Sequence, residues 1–397
     1  MINLARRDIA HHLKSYLLTG LGLGLLIGVT LTMAGVYRGM VDDAKVLLRA
    51  VDADIWVVQQ NTLGPFAEPS SVPDDLYRAL LGLDGVAQTG NVAYLTMQVS
   101  HAGKSQRVMV AGFESGKPGG PAFLVAGRPI AHAHYEAVAD VKTGFKVGDV
   151  VRIRRNDYTV VGLTRRMVSS NGDPMLFIPL KDAQETQFLK DNDAIVEDRK
   201  RLATNPALNR PGQPGVLEAV QAIQVSSHKV NAVLLRLRPG IDARAVASTI
   251  AHWQRYTAYT RDDMEEILVA KLIATAAKQI GLFLMILAVV SAAIVAFIIY
   301  TMTLGKIKEI AVLKLIGTKN RTIAAMIVQE ALGLGVIGFF VGKFAATLWA
   351  PAFPKYVLLE TGDAARAFAL TLVVCALASV LAIRAALKID PAEAIGG

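Results

Sequence analysis

Four long apolar runs, each carrying one charge or none, constrain the fold of this chain more than any other feature. The runs have about 17 to 27 residues, close to the about 20 that an α-helix needs to cross a bilayer. They lie between Lys14 and Arg38, between Lys278 and Lys306, from Thr322 to Gly342, and between Arg366 and Arg384. The sequence therefore predicts four transmembrane helices, one before and three after a long intervening segment.

Three clusters of basic residues lie beside these runs. The formal net charge of +9 would also suit a nucleic-acid-binding protein, but these clusters lie at alternate ends of the apolar runs. These clusters are Arg6, Arg7 and Lys14; Lys306, Lys308, Lys314, Lys319 and Arg321; and Arg384 and Lys388. Basic residues that flank a membrane span stay in the cytoplasm. The pattern predicts a membrane protein with both termini inside, and no nucleic-acid partner.

The span and charge patterns together predict the division of the chain. Its parts are a cytoplasmic N-terminus (1–15), a first span (16–40), an extracytoplasmic α/β domain (41–271), a second span (272–305), a cytoplasmic connector (306–321), a third span (322–350), an outer loop (351–365), a fourth span (366–387) and a cytoplasmic tail (388–397). The outer domain, with about 230 residues, is long enough for its own core. The single cysteine, Cys375, excludes an intrachain disulfide.

Within the outer domain, β-branched and aromatic runs predict strands, and charged or proline-initiated segments predict helices. The predicted strands are 53–58, 94–100 paired with 106–112, 147–154 paired with 157–162, 221–226 and 232–237. The predicted helices are 41–50, 74–83, 182–201 and 242–253, and 205–215 is a predicted loop rich in proline and glycine. A last helix is predicted to begin at Thr260 and to continue unbroken, over about 45 residues, into the second span.

The connector Lys306–Arg321 reads KIKEIAVLKLIGTKNR. It can form about three helical turns ending at Ile316, with Gly317 in the C′ position that favours glycine. A short helix at a membrane surface, apolar on most sides, can be an ordinary interfacial connector or a contact for another protein. The residues alone leave both readings open.

A nucleotide-binding P-loop is missing from the sequence. The nearest string is Gly342-Lys343-Phe344, with Ile337 in place of the first glycine and Phe344 in place of the hydroxyl residue. This string also falls within a predicted span. Any ATP hydrolysis by that route must therefore be performed by another chain.

The histidines of AHAHYE, together with Glu136, are candidate metal ligands. His132 and His134 would share a face in an extended strand. A third ligand at a suitable spacing is not evident, so we expect a surface strand or loop here and no metal site. The spacing of serine, histidine and aspartate also suggests no catalytic triad.

Glycines recur every four residues in two of the predicted spans. Gly20, Gly24 and Gly28 lie in the first, and Gly338 and Gly342 lie in the third. Small residues at this spacing let two helix backbones approach closely. They predict a packing face against another span or against a second copy of the chain.

Glu330 lies about nine residues into the third apolar run, and a carboxylate at depth in a membrane is often functional. The alternative, which we favour, is that Glu330 lies near the cytoplasmic interface and packs against a polar neighbour. A proton relay would need further buried ionisable groups in the other spans.

The segment GKIKEIAVLKLIGTKNRTIAAMIVQEALGLGVIGFFVG resembles the C-terminal domain of FtsX/MacB-type (type VII) ABC transporter permeases. The matching residues are Glu309, Leu313, Gly317, Glu330, Gly338 and Gly342. IDPAEAI near the C-terminus is similar to the tail of that family, and DADIWVV, AGR and VGD followed by YTVVG look like its periplasmic core domain. DADIWVV also resembles the DevC-like branch, whose permeases are separate from their ATPase.

The resemblance implies four transmembrane helices in a 1+3 layout, with a large α/β core domain between helices 1 and 2. It implies a non-catalytic subunit of the inner membrane that forms a homodimer and binds two copies of a cytoplasmic ATPase. ATP and Mg would be held by the ATPase, and this chain would bind no cofactor. The coupling helix would present Lys306, Ile307, Glu309, Ile310, Leu313, Lys314 and Gly317.

The same resemblance implies export or extraction of a lipid, peptide, lipoprotein or drug-like substrate. ATP-driven motion would travel along the second helix to the outer domain, and a periplasmic adaptor and an outer-membrane duct would complete the assembly. The alternative is an FtsX-like transmitter that uses the same motion to activate an extracytoplasmic enzyme.

Overall fold

The computed structural model describes residues 13–188, 200–201, 203–204, 228–353 and 355–388. The chain forms two compact units. The α/β unit comprises Val41–Ala274, and the helical unit comprises Met1–Met40 together with Thr275–Gly397. The predicted strand 221–226 and the predicted loop 205–215 lie outside the described residues, as does most of the second half of the predicted helix 182–201.

The helices and strands follow one another in an irregular order along the chain. The helices are α1 (Leu13–Ala50), α2 (Leu76–Leu81), α3 (Leu180–Phe188), α4 (Ala243–Ala251), α5 (Arg261–Glu266), α6 (Ala274–Gly305), α7 (Ile307–Leu315), α8 (Asn320–Trp349) and α9 (Thr361–Lys388). The strands are β1 (Ile55–Gln59), β2 (Val72–Pro73), β3 (Val86–His101), β4 (Lys104–Phe113), β5 (Leu124–Gly127), β6 (Glu136–Asp140), β7 (Val150–Ile153), β8 (Asn156–Thr164), β9 (Met175–Pro179), β10 (Lys229–Val230), β11 (Ala232–Leu237) and β12 (Tyr256–Thr260).

Among the described residues, four helices are long and apolar enough to cross a membrane. They cover Tyr16–Ala50, Ala276–Gly305, Asn320–Ala352 and Thr361–Lys388. The predicted fold class, four such helices in a 1+3 layout around a large α/β domain, is confirmed. Helix α1 continues to Ala50, so the predicted first span and the predicted helix 41–50 are one element.

A ten-stranded mixed sheet forms the framework of the α/β unit. Its order is β12-β1-β11-β3-β4-β9-β6-β8-β5, and β7 pairs with both β3 and β8. Strands β4 and β9 are parallel, as are β6 and β8, and the other pairs are antiparallel. Strands β6 and β9 are buried along their whole length, because both lie between other strands and are covered on both faces.

The two predicted hairpins are confirmed. β3 pairs with β4 up to His101 and Lys104, and β7 pairs with β8 up to Ile153 and Asn156. Each turn has the two-residue length that joins antiparallel strands tightly. The predicted strand 232–237 coincides with β11.

The helix predicted from Thr260 is confirmed, with one departure. Thr260 accepts a hydrogen bond from the backbone of Asp263, whose carboxylate accepts one from the Thr260 backbone, forming a capping box. The helical backbone then continues from Arg261 to Gly305. Residues Ile267–Ile273 form a π-helix within it, a local widening that the sequence pattern did not predict.

Candidate functional site

Helix α7 joins α6 to α8 and is the centre of the candidate site. Lys306 is the one residue between α6 and α7, with φ −104° and ψ 12°. At the other end Gly317 has φ +88°, a conformation that strains any residue with a Cβ. Gly317 N donates to Lys314 O and Thr318 N donates to Leu313 O, both at 3.0 Å, which is the Schellman motif. The predicted C′ role of Gly317 is confirmed.

One side of α7 packs into the helical unit. Ile310 and Ala311 are each 1 % exposed. Lys314 Nζ donates a 2.9 Å hydrogen bond to the carbonyl oxygen of Leu387, near the end of α9. These contacts fix α7 against the membrane helices rather than leaving it as a loose loop.

The opposite side of α7 is exposed and mainly apolar. Val312 is 46 % exposed, Leu315 64 % and Ile316 76 %, and the exposed side chains of Lys308 and Glu309 lie one turn earlier. Positions i, i+3 and i+4 form one stripe along a helix. We call these five residues the outer face of α7.

The predicted coupling residues divide between the two sides of α7. Glu309 and Gly317 are exposed, Ile307, Leu313 and Lys314 are half-buried, and Lys306 and Ile310 are buried. Sequence reasoning missed Val312, Leu315 and Ile316. Their i, i+3, i+4 spacing was the signal that could have identified them, but apolar residues also lie on the opposite side of α7.

Glu330 on α8 is buried and forms an ion pair with Lys306. Lys306 Nζ lies 3.1 Å from Glu330 Oε2 and 3.2 Å from the hydroxyl oxygen of Tyr16 on α1. The lysine ammonium also lies 5.4 Å from the centre of the Tyr16 ring, within the range of a cation–π contact. The structure thus places together two residues that the sequence had assigned to separate roles.

The recurring glycines bring α1 and α8 into backbone contact. A Cβ added to Gly24 would lie 2.9 Å from the carbonyl oxygen of Gly338. A Cβ added to Gly342 would lie 2.5 Å from the carbonyl oxygen of Gly24. A Cβ on Gly28 would lie 2.9 Å from the Gly342 carbonyl. A Cβ on Gly20 would meet the Ile337 side chain at 2.7 Å. These distances leave no space for a side chain along the contact.

The histidines of AHAHYE bind two different carboxylates. Glu136 contacts the ring of His132 and accepts hydrogen bonds from Arg128, while His134 Nδ1 lies 2.5 Å from Asp182 Oδ1. Both carboxylates are buried and both histidines are more than half exposed. His132 therefore fixes the loop to the start of β6, and His134 fixes it to α3.

Two family descriptions match the chain. The MacB-like periplasmic core domain matches residues 16–252, which include most of the α/β unit. The FtsX-like permease C-terminal domain matches residues 281–391, which include α7 and α8.

Curated relatives align over the whole chain. An uncharacterized ABC transporter permease of Mycobacterium tuberculosis (strain ATCC 25618 / H37Rv) is 25% identical over 400 residues, covering 100% of both chains. An uncharacterized ABC transporter permease of Mycobacterium bovis (strain ATCC BAA-935 / AF2122/97) is 23% identical over 397 residues, again covering 100% of both.

Two solved structures share weak similarity with the chain. The periplasmic region of MacB from Actinobacillus actinomycetemcomitans superposes with a TM-score of 0.35 and 9% identity, over 55% of this chain and 94% of that one. The extracellular domain of the noncanonic ABC-type transporter YknZ from Gram-positive bacteria gives a TM-score of 0.34 and 12% identity, over 52% and 100%.

Proposed function

Because the chain belongs to the FtsX/MacB-type family of ABC transporter permeases, we propose that it transmits ATP-driven motion from cytoplasmic ATPase subunits to its α/β unit. A permease of this class works with an ATPase partner. In the proposed topology both termini and α7 lie in the cytoplasm, the α/β unit lies outside the inner membrane, and this chain performs no catalysis of its own.

The outer face of α7 is the observation that carries this proposal. It exposes three large apolar side chains, Val312, Leu315 and Ile316, in the connector that the charge pattern assigns to the cytoplasm. An amphipathic helix whose apolar anchors recur at i, i+3 and i+4 is suited to bind in a groove of another protein. Ile310, Ala311 and Lys314 hold the other side, so a displacement of α7 would reach the membrane helices.

The helix that follows from Thr260 supports transmission toward the α/β unit. Its backbone is helical from Arg261 to Gly305, including the π-helical segment Ile267–Ile273. A continuous helix resists bending better than a loop, since each turn is hydrogen-bonded to the next. In the proposed mechanism the ATPase subunits close on ATP and Mg. This closure moves the α6 helices of the two permease copies toward each other.

The proposed cargo is a lipid, peptide, lipoprotein or drug-like molecule, exported or extracted with a periplasmic adaptor and an outer-membrane duct. Support for this part comes from the family alone. Support for a homodimer comes from α6, where Phe283, Met285, Val289 and Phe297 are each more than 60 % exposed. A second copy and lipid would cover these side chains.

The docking proposal predicts that Ile316→Arg removes the ATPase from the purified permease. A guanidinium at the centre of an apolar contact loses the buried area and adds an unpaired charge. We expect co-purification of the ATPase to fall at least tenfold, measured by quantitative mass spectrometry after detergent extraction. Glu309→Arg and Leu313→Arg should act in the same direction.

Ile241→Arg is the matched control, because Ile241 is also an exposed isoleucine, 43 % exposed, but lies in the α/β unit. This variant should retain the ATPase. The docking assignment would be wrong if the amount of co-purified ATPase were undiminished in all three α7 variants, Ile316→Arg, Glu309→Arg and Leu313→Arg.

A further inference from the structure

The buried pair Lys306–Glu330 joins three helices at the point where α6 ends and α7 begins. Lys306 is the single non-helical residue between the two helices, so any change in the angle of α7 passes through its backbone. Its side chain turns away from the outer face of α7. It reaches Glu330 on α8 at 3.1 Å and Tyr16 on α1 at 3.2 Å.

The pair lies out of bulk water. The side chain of Lys306 is 11 % exposed, that of Glu330 is 9 % exposed, and Tyr16 is fully buried. The cavity beside them, bordered by Thr303 and Ile327, holds about 10 Å³, the lower limit for one water molecule. With so little solvent, the attraction between the two charges is weakly screened.

We infer that Lys306 and Glu330 are positioning residues that couple the orientation of α7 to α8 and α1, and that Lys306 is not part of the ATPase-docking face. This rests on the proposed function, in which α7 is displaced by the ATPase. With the ion pair in place, α8 and α1 move together with α7. Without it, the backbone at residue 306 flexes and the displacement of α7 does not reach α8 and α1.

Docking and transmission should therefore separate in suitable variants. Lys306→Met combined with Glu330→Gln keeps both side-chain lengths and leaves no buried charge without a partner. A single substitution would leave such a charge and would destabilise the fold. Lys306→Glu combined with Glu330→Lys restores the pair with its charges exchanged. Lys278→Met, which removes an exposed lysine near the other end of the same helix, is the control.

The experiment uses the permease–ATPase complex in proteoliposomes with a fluorescent label on Ser248→Cys, an exposed position of α4. The natural Cys375 is fully buried and stays unlabelled. Two quantities are measured for each variant, the amount of ATPase bound and the change in fluorescence on addition of ATP and vanadate.

We expect the neutral pair to bind the ATPase within twofold of the unmodified protein, with a fluorescence change at least fivefold smaller. The exchanged pair and Lys278→Met should give the full change. A full change in the neutral pair would overturn the inference, and so would loss of the ATPase from a neutral pair that elutes as a single monodisperse species. If the unmodified chain binds no ATPase, the proposed function itself fails, which is a distinguishable result.

Discussion

At the scale of single residues, Glu136, the first residue of β6, binds the loop that precedes that strand. It accepts hydrogen bonds from Arg128 at 2.5 and 3.0 Å and from the backbone of Ala131 and His132 at 2.8 and 3.1 Å. The Arg128 guanidinium, with His132 and these two backbone N–H groups, holds the pKa of the Glu136 carboxyl well below its ordinary 4.5. Glu136 therefore stabilises the loop in its charged form.

Replacing this carboxylate, Glu136→Gln, should destabilise the protein in a pH-dependent way. Hydrogen bonds to a charged acceptor contribute about 1.5–3 kcal/mol, which corresponds to an unfolding temperature lower by about 3–12 °C at pH 7. Because the folded pKa is depressed, the contribution of Glu136 is complete above about pH 4.5 and is lost as the pH falls below that value. The difference in unfolding temperature between the variant and the unmodified protein should therefore shrink progressively as the pH falls from 4.5 toward the depressed folded-state pKa, as measured by thermal unfolding in detergent.

Asp84→Asn, at an exposed carboxylate, serves as the control and should leave the unfolding temperature within about 1 °C. An equal loss of stability at pH 7 and at about pH 3 for Glu136→Gln would contradict the role assigned to the charge.

The sequence could least predict which side chains form ion pairs with buried charged residues. The depth of Glu330 followed from its position in an apolar run, and a polar neighbour was expected. The identity of that neighbour depends on how the chain turns at Lys306, because a lysine at a helix end can point to solvent or inward. Local sequence does not distinguish these directions, so the inward direction of the Lys306 side chain was not predicted.

At the scale of helices and strands, the contact between α1 and α8 depends on glycine at several successive positions. Gly342 lies against Gly24 and Gly28, and Gly338 lies against Leu23 and Gly24. Backbones that approach this closely gain dispersion and weak Cα–H···O contacts along their whole length. A single methyl group at the tightest point therefore acts on the entire interface.

Gly342→Ala should separate the two helices locally. The added Cβ would lie 2.5 Å from the Gly24 carbonyl oxygen and 2.9 Å from the Gly28 nitrogen, both backbone atoms that no side-chain rotation can remove. Overpacking of this kind costs about 1–3 kcal/mol. We expect a lower unfolding temperature and a lower yield of monodisperse protein by size-exclusion chromatography.

The matched substitution is Gly281→Ala, since nothing lies within 4 Å of a Cβ at that position on α6. It should be neutral or slightly stabilising, because alanine favours a helix over glycine. Equal behaviour of the two alanine variants would show that α1 and α8 are not in backbone contact.

Prediction of strand pairing succeeded where the two strands are adjacent in sequence and failed where they are far apart. The hairpins β3–β4 and β7–β8 were predicted because both strands and the turn lie in one short segment. Strand β9, buried along its whole length, pairs in parallel with β4 from far along the chain, and no local alternation marks it. The π-helical segment Ile267–Ile273 was missed for a similar reason, since its composition is that of an α-helix.

At the scale of the whole molecule, the order of one span, a large domain and three spans was predictable because each run is long and its flanking charges are strongly biased. The order of the strands in the sheet was not predictable, because its ten strands are brought together by contacts between distant segments. The division into units follows from the same apolar runs. Charge bias also predicts which unit faces which side of the membrane.

Labelling of single cysteines checks this orientation. Ser248→Cys in the α/β unit and Lys319→Cys beyond α7 are both exposed positions, while Cys375 is buried. A membrane-impermeant maleimide should label Ser248→Cys in intact spheroplasts and should label Lys319→Cys only after permeabilisation. Labelling of Lys319→Cys in intact cells would reverse the assigned topology.

The backbone contact between α1 and α8 also has a consequence for biosynthesis. Gly28 and Gly342 are separated by roughly 300 residues, which a ribosome needs about 15–60 s to translate at about 5–20 residues per second. During that time α1 resides in the bilayer with its glycine face against lipid, while the α/β unit, encoded in between, is synthesised in full. The helical unit therefore closes last, when the third span is inserted, and α1 must remain stable alone until its partner emerges.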